Sequence, residues 1–317
     1  MALQPVDPKL LFSKSDPLDP RLGDLATDKS GTENFIVVGY PDDEGISLNG
    51  GRVGAAQAPN RIRSYFYKMT PPAFQDSKNA SVQICDAGNL VIQESLSDRH
   101  LAARSFAAST HKRSVRIISL GGGHDYGFPD AAAYCEAVLA QGERPLVINF
   151  DAHLDVRPLN RGLTSGTPFF RLLEEFPDID FIELGLQSQC NSKSHVDWLI
   201  ERGGLVAFEE VRHARKFTLT ETLNEILTKV SERKISPKRS AFLSVDIDGF
   251  SSSVAPGASQ SWPTGFAAQD FFECFSWCLK KFDVRAVGIY EVSPPLDVDD
   301  RTSRLAALIA HRFVFQF

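Results

Sequence analysis

The sequence predicts an α/β fold built on one mainly parallel sheet, and three observations carry that prediction. Roughly eight short apolar runs alternate with helix-patterned segments from Phe35 to the end of the chain. The connections are short turns containing Gly and Pro, with no linker that would split the 317 residues into separate domains. The residues best suited to chemistry fall at the carboxyl ends of four of the runs, which is where open parallel sheets bind ligands. Such alternation implies right-handed β-α-β units. A closed (β/α)8 barrel would satisfy the same count, and the pattern alone does not separate the two.

Taken in order, residues 1–33 are rich in Pro, Asp and Lys without periodicity and read as an irregular arm over the surface of one domain spanning 34–317. Phe35 to Tyr40 is a buried-strand run, followed by a long Gly-rich loop, PDDEGISLNGGRVGAAQAPNRIRSYF, that leads into a helix. Gly50 and Gly51 imply positive φ or close approach, but the loop lacks the spacing of a phosphate loop. Strands follow at Val82 to Cys85 and at Val115 to Leu120. Between them lies an Ala-rich helix whose His100 and His111 are expected on the solvated surface. The second of these strands runs into GGGHDYG, where three glycines would let the backbone turn sharply and place His124 at the sheet edge.

Pro145 to Phe150 is the next strand and opens NFDAHLDVRP. After RGLTSGTPFFRLLEEF, a loop entering a helix, come strands at Phe181 to Leu184 and Leu205 to Phe208 and a helical pattern over 218–234. Ala241 to Val245 is a strand ending in Asp246 and Asp248, and the loop SSSVAPGASQSWPTGF precedes an aromatic-rich helix at 269–281 that reads as core packing. Val284 to Tyr290 delivers Glu291, and a helix closes the chain over 301–313.

The formal charge of -6 and the absence of a basic block argue against nucleic acid or an anionic membrane as partner, leaving a small molecule as the default. No signal-like or membrane-spanning apolar stretch is present, so a cytoplasmic location is expected. The five cysteines are scattered without a C-x-x-C pair, so neither a disulfide framework nor a zinc knuckle is indicated. Cys274 and Cys278 lie four apart and read as a core stripe.

The chemistry centres on Asp151, His153 and Asp155. If the strand continued, this D-x-H-x-D run would set two carboxylates and an imidazole on one face, an arrangement costly without a cation and favourable with one. His124, Asp246 and Asp248 complete four carboxylates and two imidazoles, enough for two divalent ions sharing a carboxylate. The oxygen-rich set favours Mn²⁺ over structural zinc, and two such ions make hydroxide from water near neutral pH. A hydrolase is the expected class. A two-metal phosphoesterase would bring further Asn, His and basic phosphate-binding residues, and no clear set is present.

GGGH, DAHLD and DID resemble the metal-binding motifs of the ureohydrolases, the superfamily of arginases, agmatinases, guanidino-acid hydrolases and formimidoylglutamases. The resemblance runs from NGGRVGAAQAPNRIR to Glu291. It implies an arginase-like, three-layer αβα sandwich with a mainly parallel eight-stranded sheet, a binuclear centre of two Mn²⁺ per subunit, and a homo-oligomeric tendency. His124, Asp151, Asp155 and Asp246 would hold one ion and Asp151, His153, Asp246 and Asp248 the other. Where arginases and agmatinases carry a proton-shuttling histidine this chain has Ser165, and where arginases carry Asn it has Arg157. GGGH, DAHLDVRP, SGTPF and APGAS together look like formimidoylglutamase. That resemblance implies cleavage of N-formimidoyl-L-glutamate to glutamate and formamide by a metal-bridging hydroxide. Glu291 would pair with the amidinium and Asp155 would carry the proton. Arg157, with Arg52, Asn160, Arg161 and Ser165 nearby, would contact the substrate. Another ureohydrolase releasing urea, or a non-catalytic metal-binding homologue, are the alternatives.

Overall fold

The computed structural model describes residues 3–27, 31, 33–73, 82–231 and 239–316. Eight parallel strands form its backbone: β3 (Phe35–Gly39), β4 (Ile84–Leu90), β5 (Arg116–Leu120), β6 (Leu146–Phe150), β7 (Asp180–Leu186), β8 (Leu205–Phe208), β9 (Ser240–Asp246) and β10 (Asp283–Tyr290). They lie in the order β4-β3-β5-β10-β9-β6-β7-β8, so the sheet is open and the barrel alternative does not apply.

Alternation within each strand builds the layers. Phe35, Val37, Ile118 and Leu120 face one apolar core, packed under α2 (Ala58–Phe66), α8 (Leu219–Ser231), α9 (Ala268–Lys281) and α10 (Arg301–Phe315). Ile36, Val38 and Ile117 face the other, beneath α3 (Leu96–His111), α4 (Gly127–Leu139) and α5 (Pro168–Glu175). Shorter helices α1 (Glu44–Leu48), α6 (Lys193–Glu201) and α7 (Glu209–Ala214) complete the set. The result is helix, sheet and helix, as both-face burial of parallel strands requires. The aromatic helix and the Cys274/Cys278 stripe are core: Phe271 stacks on Phe266, meets Phe150 edge-on and lies tilted against Phe250, and both thiols are buried.

The structure corrects two expectations. The arm is not wholly irregular, because β1 (Leu3–Gln4) pairs antiparallel and β2 (Ala26–Thr27) parallel with β4. They cover backbone groups that an open sheet edge would leave unpaired. His100 and His111 are buried, at 2% and 5% exposure, because α3 packs along α4 and turns both inward. His100 bonds Asp125, and His111 sits edge-on to Tyr134. The chain bends at Gly122 and Gly123 as the glycine run suggests, without positive φ at any of Gly121 to Gly123. They are required by crowding: a Cβ on Gly122 would lie 1.6 Å from the Asp42 carbonyl oxygen. Residues 232–234 of the predicted helix lie outside the described residues. No helix among the described residues is long and apolar enough to cross a membrane.

Candidate metal centre

The cluster forms where β5, β6, β9 and β10 end side by side. β6 stops at Phe150, so the D-x-H-x-D residues are not set out by a continuing strand as the sequence reading assumed. The chain turns instead: Asp151 Oδ1 accepts from the His153 N–H at 2.7 Å, and Asp155 takes a left-handed φ of 49°. Asp151 and Asp155 thereby converge on His124, while His153 turns toward Asp248.

Two groups result, sharing Asp151. In the first, His124 Nδ1 lies 3.0 Å from Asp151 Oδ2, 3.0 Å from Asp155 Oδ2 and 3.1 Å from Asp246 Oδ2. In the second, His153 Nδ1 lies 3.4 Å from Asp151 Oδ1 and 3.3 Å from Asp248 Oδ2. Asp246 falls with His124, and its Oδ1 accepts from the Asp248 N–H at 2.9 Å.

The His124 ring is fixed on every side. Its Nε2 is 2.9 Å from Ser244 Oγ, its face stacks on Tyr290 and its edge meets Phe169. A donating Nε2–H leaves the Nδ1 lone pair directed at the carboxylates, the tautomer that second-neighbour contacts impose on ligating histidines. Nδ1 is buried without a hydrogen-bond partner among the described residues, as is Asp248 Oδ1. Three carboxylate oxygens around one orphaned imidazole nitrogen are the contacts a cation would complete, so the residues present fit divalent ions.

The electrostatics agree. Burial pushes Asp246 well above the usual carboxylate range, with the charges of Asp248 and Asp151 adding to it. Asp155 is raised by burial and then by Asp151, and Asp248 by burial. Burial opposes protonation of His124 and His153, yet the surrounding carboxylates raise both well above the ordinary imidazole value. Asp151, touching both imidazoles, is lowered despite its burial. Without a cation, the cluster holds protons to offset its negative charge.

Glu291, also left-handed at φ 64°, follows β10 and accepts from the His124 N–H at 3.0 Å. With His153, Asp155, Asp246 and Asp248 it lines a cavity of about 270 Å³. Arg157 and Ser165 stand on the wall, and Ser165 Oγ accepts from Asn49 Nδ2 at 3.2 Å. Gly166 lets Arg157 lie close, since a Cβ there would be 2.7 Å from Arg157 Cδ. Among the described residues no carboxylate pairs with Arg157. Arg52 is placed elsewhere than expected: its guanidinium is held by the Ala258 and Ser259 carbonyl oxygens and it does not line the cavity. Asn160 and Arg161 line a neighbouring cavity of about 310 Å³ that shares Asn49 and Arg157 with the first. Sequence reasoning missed Asn49, Gln189, Cys190, Ser259, Gln260 and Trp262 in the wall. All sit in loops after β3, β7 and β9, so the carboxyl-end rule was the signal that pointed to them.

Against known proteins, the chain matches the arginase family over residues 33–315. The formimidoylglutamase of Staphylococcus epidermidis strain RP62A is 30% identical over 311 residues, covering 95% of this chain and 94% of the relative. A crystal structure of Trypanosoma cruzi formiminoglutamase with Mn2+2 superposes with a TM-score of 0.82 at 27% identity, covering 94% of this chain and 98% of that one. The Bacillus subtilis formimidoylglutamase structure gives 0.83 at 25% identity, covering 96% and 94%. A family match over nearly the whole domain, on a sheet whose carboxyl ends gather the metal-type cluster, establishes that the chain belongs to the arginase family.

Proposed function

We propose that this protein is a formimidoylglutamase that uses two Mn²⁺ ions to hydrolyse N-formimidoyl-L-glutamate to L-glutamate and formamide. The observation that carries the reading is Arg157: a guanidinium without a carboxylate partner among the described residues, on the wall of a cavity floored by the cluster. The substrate is a dicarboxylate, and a planar guanidinium binds a carboxylate through two parallel hydrogen bonds. Ser165, at the position where arginases and agmatinases carry their histidine, offers no imidazole for proton shuttling.

His124, Asp151, Asp155 and Asp246 would hold one ion, and Asp151, His153, Asp246 and Asp248 the other. When bound, such a pair lowers the pKa of water and supplies the nucleophile. The chain's own residues do the rest. Arg157 anchors a substrate carboxylate and so sets the formimidoyl carbon over the cavity floor. Glu291, held by the His124 N–H, pairs with the cationic amidinium. Asp155, in both the cluster and the cavity lining, receives a proton on its carboxylate and passes it to the departing glutamate nitrogen. The C–N bond breaks, water supplies the carbonyl oxygen of formamide, and the nitrogen leaves as the amine of glutamate.

Substitution Arg157→Ala tests this reading. A charge-assisted hydrogen-bond pair contributes about 1.5–3 kcal/mol, so kcat/KM for N-formimidoyl-L-glutamate should fall roughly 10- to 150-fold, mainly through KM. A formimidoyl amine without carboxylates should be turned over equally by both proteins. An equal loss on the two substrates would remove Arg157 from substrate recognition.

A further inference from the structure

One rung below the cluster, the sheet interior carries two polar side chains that neither the ligand set nor the cavity uses. Asn149 on β6 and Glu183 on β7 are register partners, and both are 0% exposed. Polar groups in the middle of a parallel sheet are costly unless they are engaged. The Asn149 amide is engaged in two directions: Nδ2 donates to Glu183 Oε1 at 2.8 Å and to Asp151 Oδ2 at 3.2 Å. Asp151 Oδ2 is the oxygen that also lies 3.0 Å from His124 Nδ1.

We infer that Glu183 is a positioning residue for the metal centre: it fixes the rotation of the Asn149 amide, whose Nδ2 in turn orients the carboxylate of Asp151, the residue common to both ligand groups. An amide free to rotate by half a turn would present its oxygen to Asp151 and repel it. The acceptor Glu183 Oε1 prevents this by demanding the same nitrogen. The remaining oxygens, Glu183 Oε2 and Asn149 Oδ1, are buried and receive no hydrogen bond from the described residues. Burial, with the charge of Asp151 adding to it, raises Glu183 well above the usual carboxylate range. Glu183 touches no reacting atom in this arrangement and acts only through Asn149.

The inference rests on reading the cluster as a metal centre and is independent of the substrate. Its test is Mn²⁺ affinity by titration calorimetry, with the electron paramagnetic resonance signature of the bound ions as a second readout. The proteins compared are the wild type, Glu183→Gln, Glu183→Leu, Asn149→Ser and the Glu183→Leu/Asn149→Ser double variant. Loss of an outer contact to a metal ligand typically costs about 10- to 100-fold in affinity. That loss is expected in Glu183→Leu and in Asn149→Ser, with no further loss when they are combined, because both cut the same chain of contacts. Glu183→Gln, which still offers Oε1 to Asn149 and adds an amide donor, should stay within about threefold of wild type by the same reasoning. Wild-type affinity in a folded Glu183→Leu, additive losses in the double variant, or a Glu183→Gln as weak as Glu183→Leu would each overturn the inference. Where Glu183→Leu does not fold by circular dichroism, Asn149→Ser against Glu183→Gln decides alone: unchanged affinity in the first, or loss in the second, is the refuting result. A wild type that takes up no metal would instead overturn the metal-centre reading, before any variant is compared.

Discussion

Replacing His111 with leucine should remove a pH dependence from folding stability that the wild type carries. Burial, with the Arg285 charge adding to it, lowers the His111 imidazole from 6.5 to about 4. Its folded value therefore lies below its unfolded one, so its neutral form is favoured in the native state. Full stability is present above pH 6.5 and is lost as pH falls toward 4, because the unfolded chain gains a proton that the folded chain refuses. A separation of this size, at 1.36 kcal/mol per pKa unit and with both protonation equilibria only partly complete at the two ends, amounts to roughly 2.4 kcal/mol between pH 7 and pH 4.5. Asp130 acts in the opposite direction. Burial raises its carboxyl to about 6 against the hydrogen bonds from Tyr290 and Tyr40, so its contribution is present at low pH and fades as pH rises through 6. The wild-type profile alone mixes the two, and the wild-type minus variant difference isolates His111. Urea unfolding of both proteins, metal-free so that ligand loss enters neither curve, should give a stability difference that shifts against the wild type by roughly 2.4 kcal/mol from pH 7 to pH 4.5. A pH-independent difference would refute the burial argument for His111.

Further outcomes follow from the site and its support. Gly288→Ala would set a Cβ 2.0 Å from the Tyr290 hydroxyl, which donates to Asp130 at 2.6 Å while the Tyr290 ring stacks on His124. Overpacking and a lost buried hydrogen bond should together destabilise by roughly 2–4 kcal/mol, and an unchanged unfolding midpoint would contradict that. Mn²⁺ should raise the melting temperature of chelator-treated protein, by an amount that shrinks as pH falls, because Asp155, Asp246, Asp248, His124 and His153 all bind protons more readily in the metal-free cluster. Equal stabilisation at pH 5 and pH 8 would argue against these residues as the ligands. Asp155→Asn should cut turnover by about 10²- to 10⁴-fold if its carboxylate carries the proton. A variant holding both metals with full turnover would sink that role.

Much of this was legible in the sequence because it rests on periodicity and on strand ends. The parallel strands, the His/Asp cluster that could hold a metal and the placement of Glu291 follow from apolar runs that lead into an Asp, a Glu or, after three glycines, a His. What was not legible depends on contacts distant in sequence. The burial of His100 and His111 comes from α4 lying along α3, which the mixed pattern of α3 does not announce. The crowding that demands Gly122 comes from the Asp42 carbonyl in the loop after β3. The capture of Arg52 by the Ala258 and Ser259 carbonyls joins loops more than 200 residues apart, so its charge alone gave no sign that it was already engaged. The closing of D-x-H-x-D by a turn rather than a strand reflects the left-handed φ at Asp155, a conformation that residue type alone does not specify.

Mn²⁺-loaded protein incubated separately with N-formimidoyl-L-glutamate, arginine and agmatine, with formamide, ammonia, urea and glutamate followed, decides whether it acts as a formimidoylglutamase. Formamide and glutamate in equal amounts are expected from the first substrate, and no urea from the other two. Urea from either guanidino substrate, or ammonia in place of formamide, would contradict that activity.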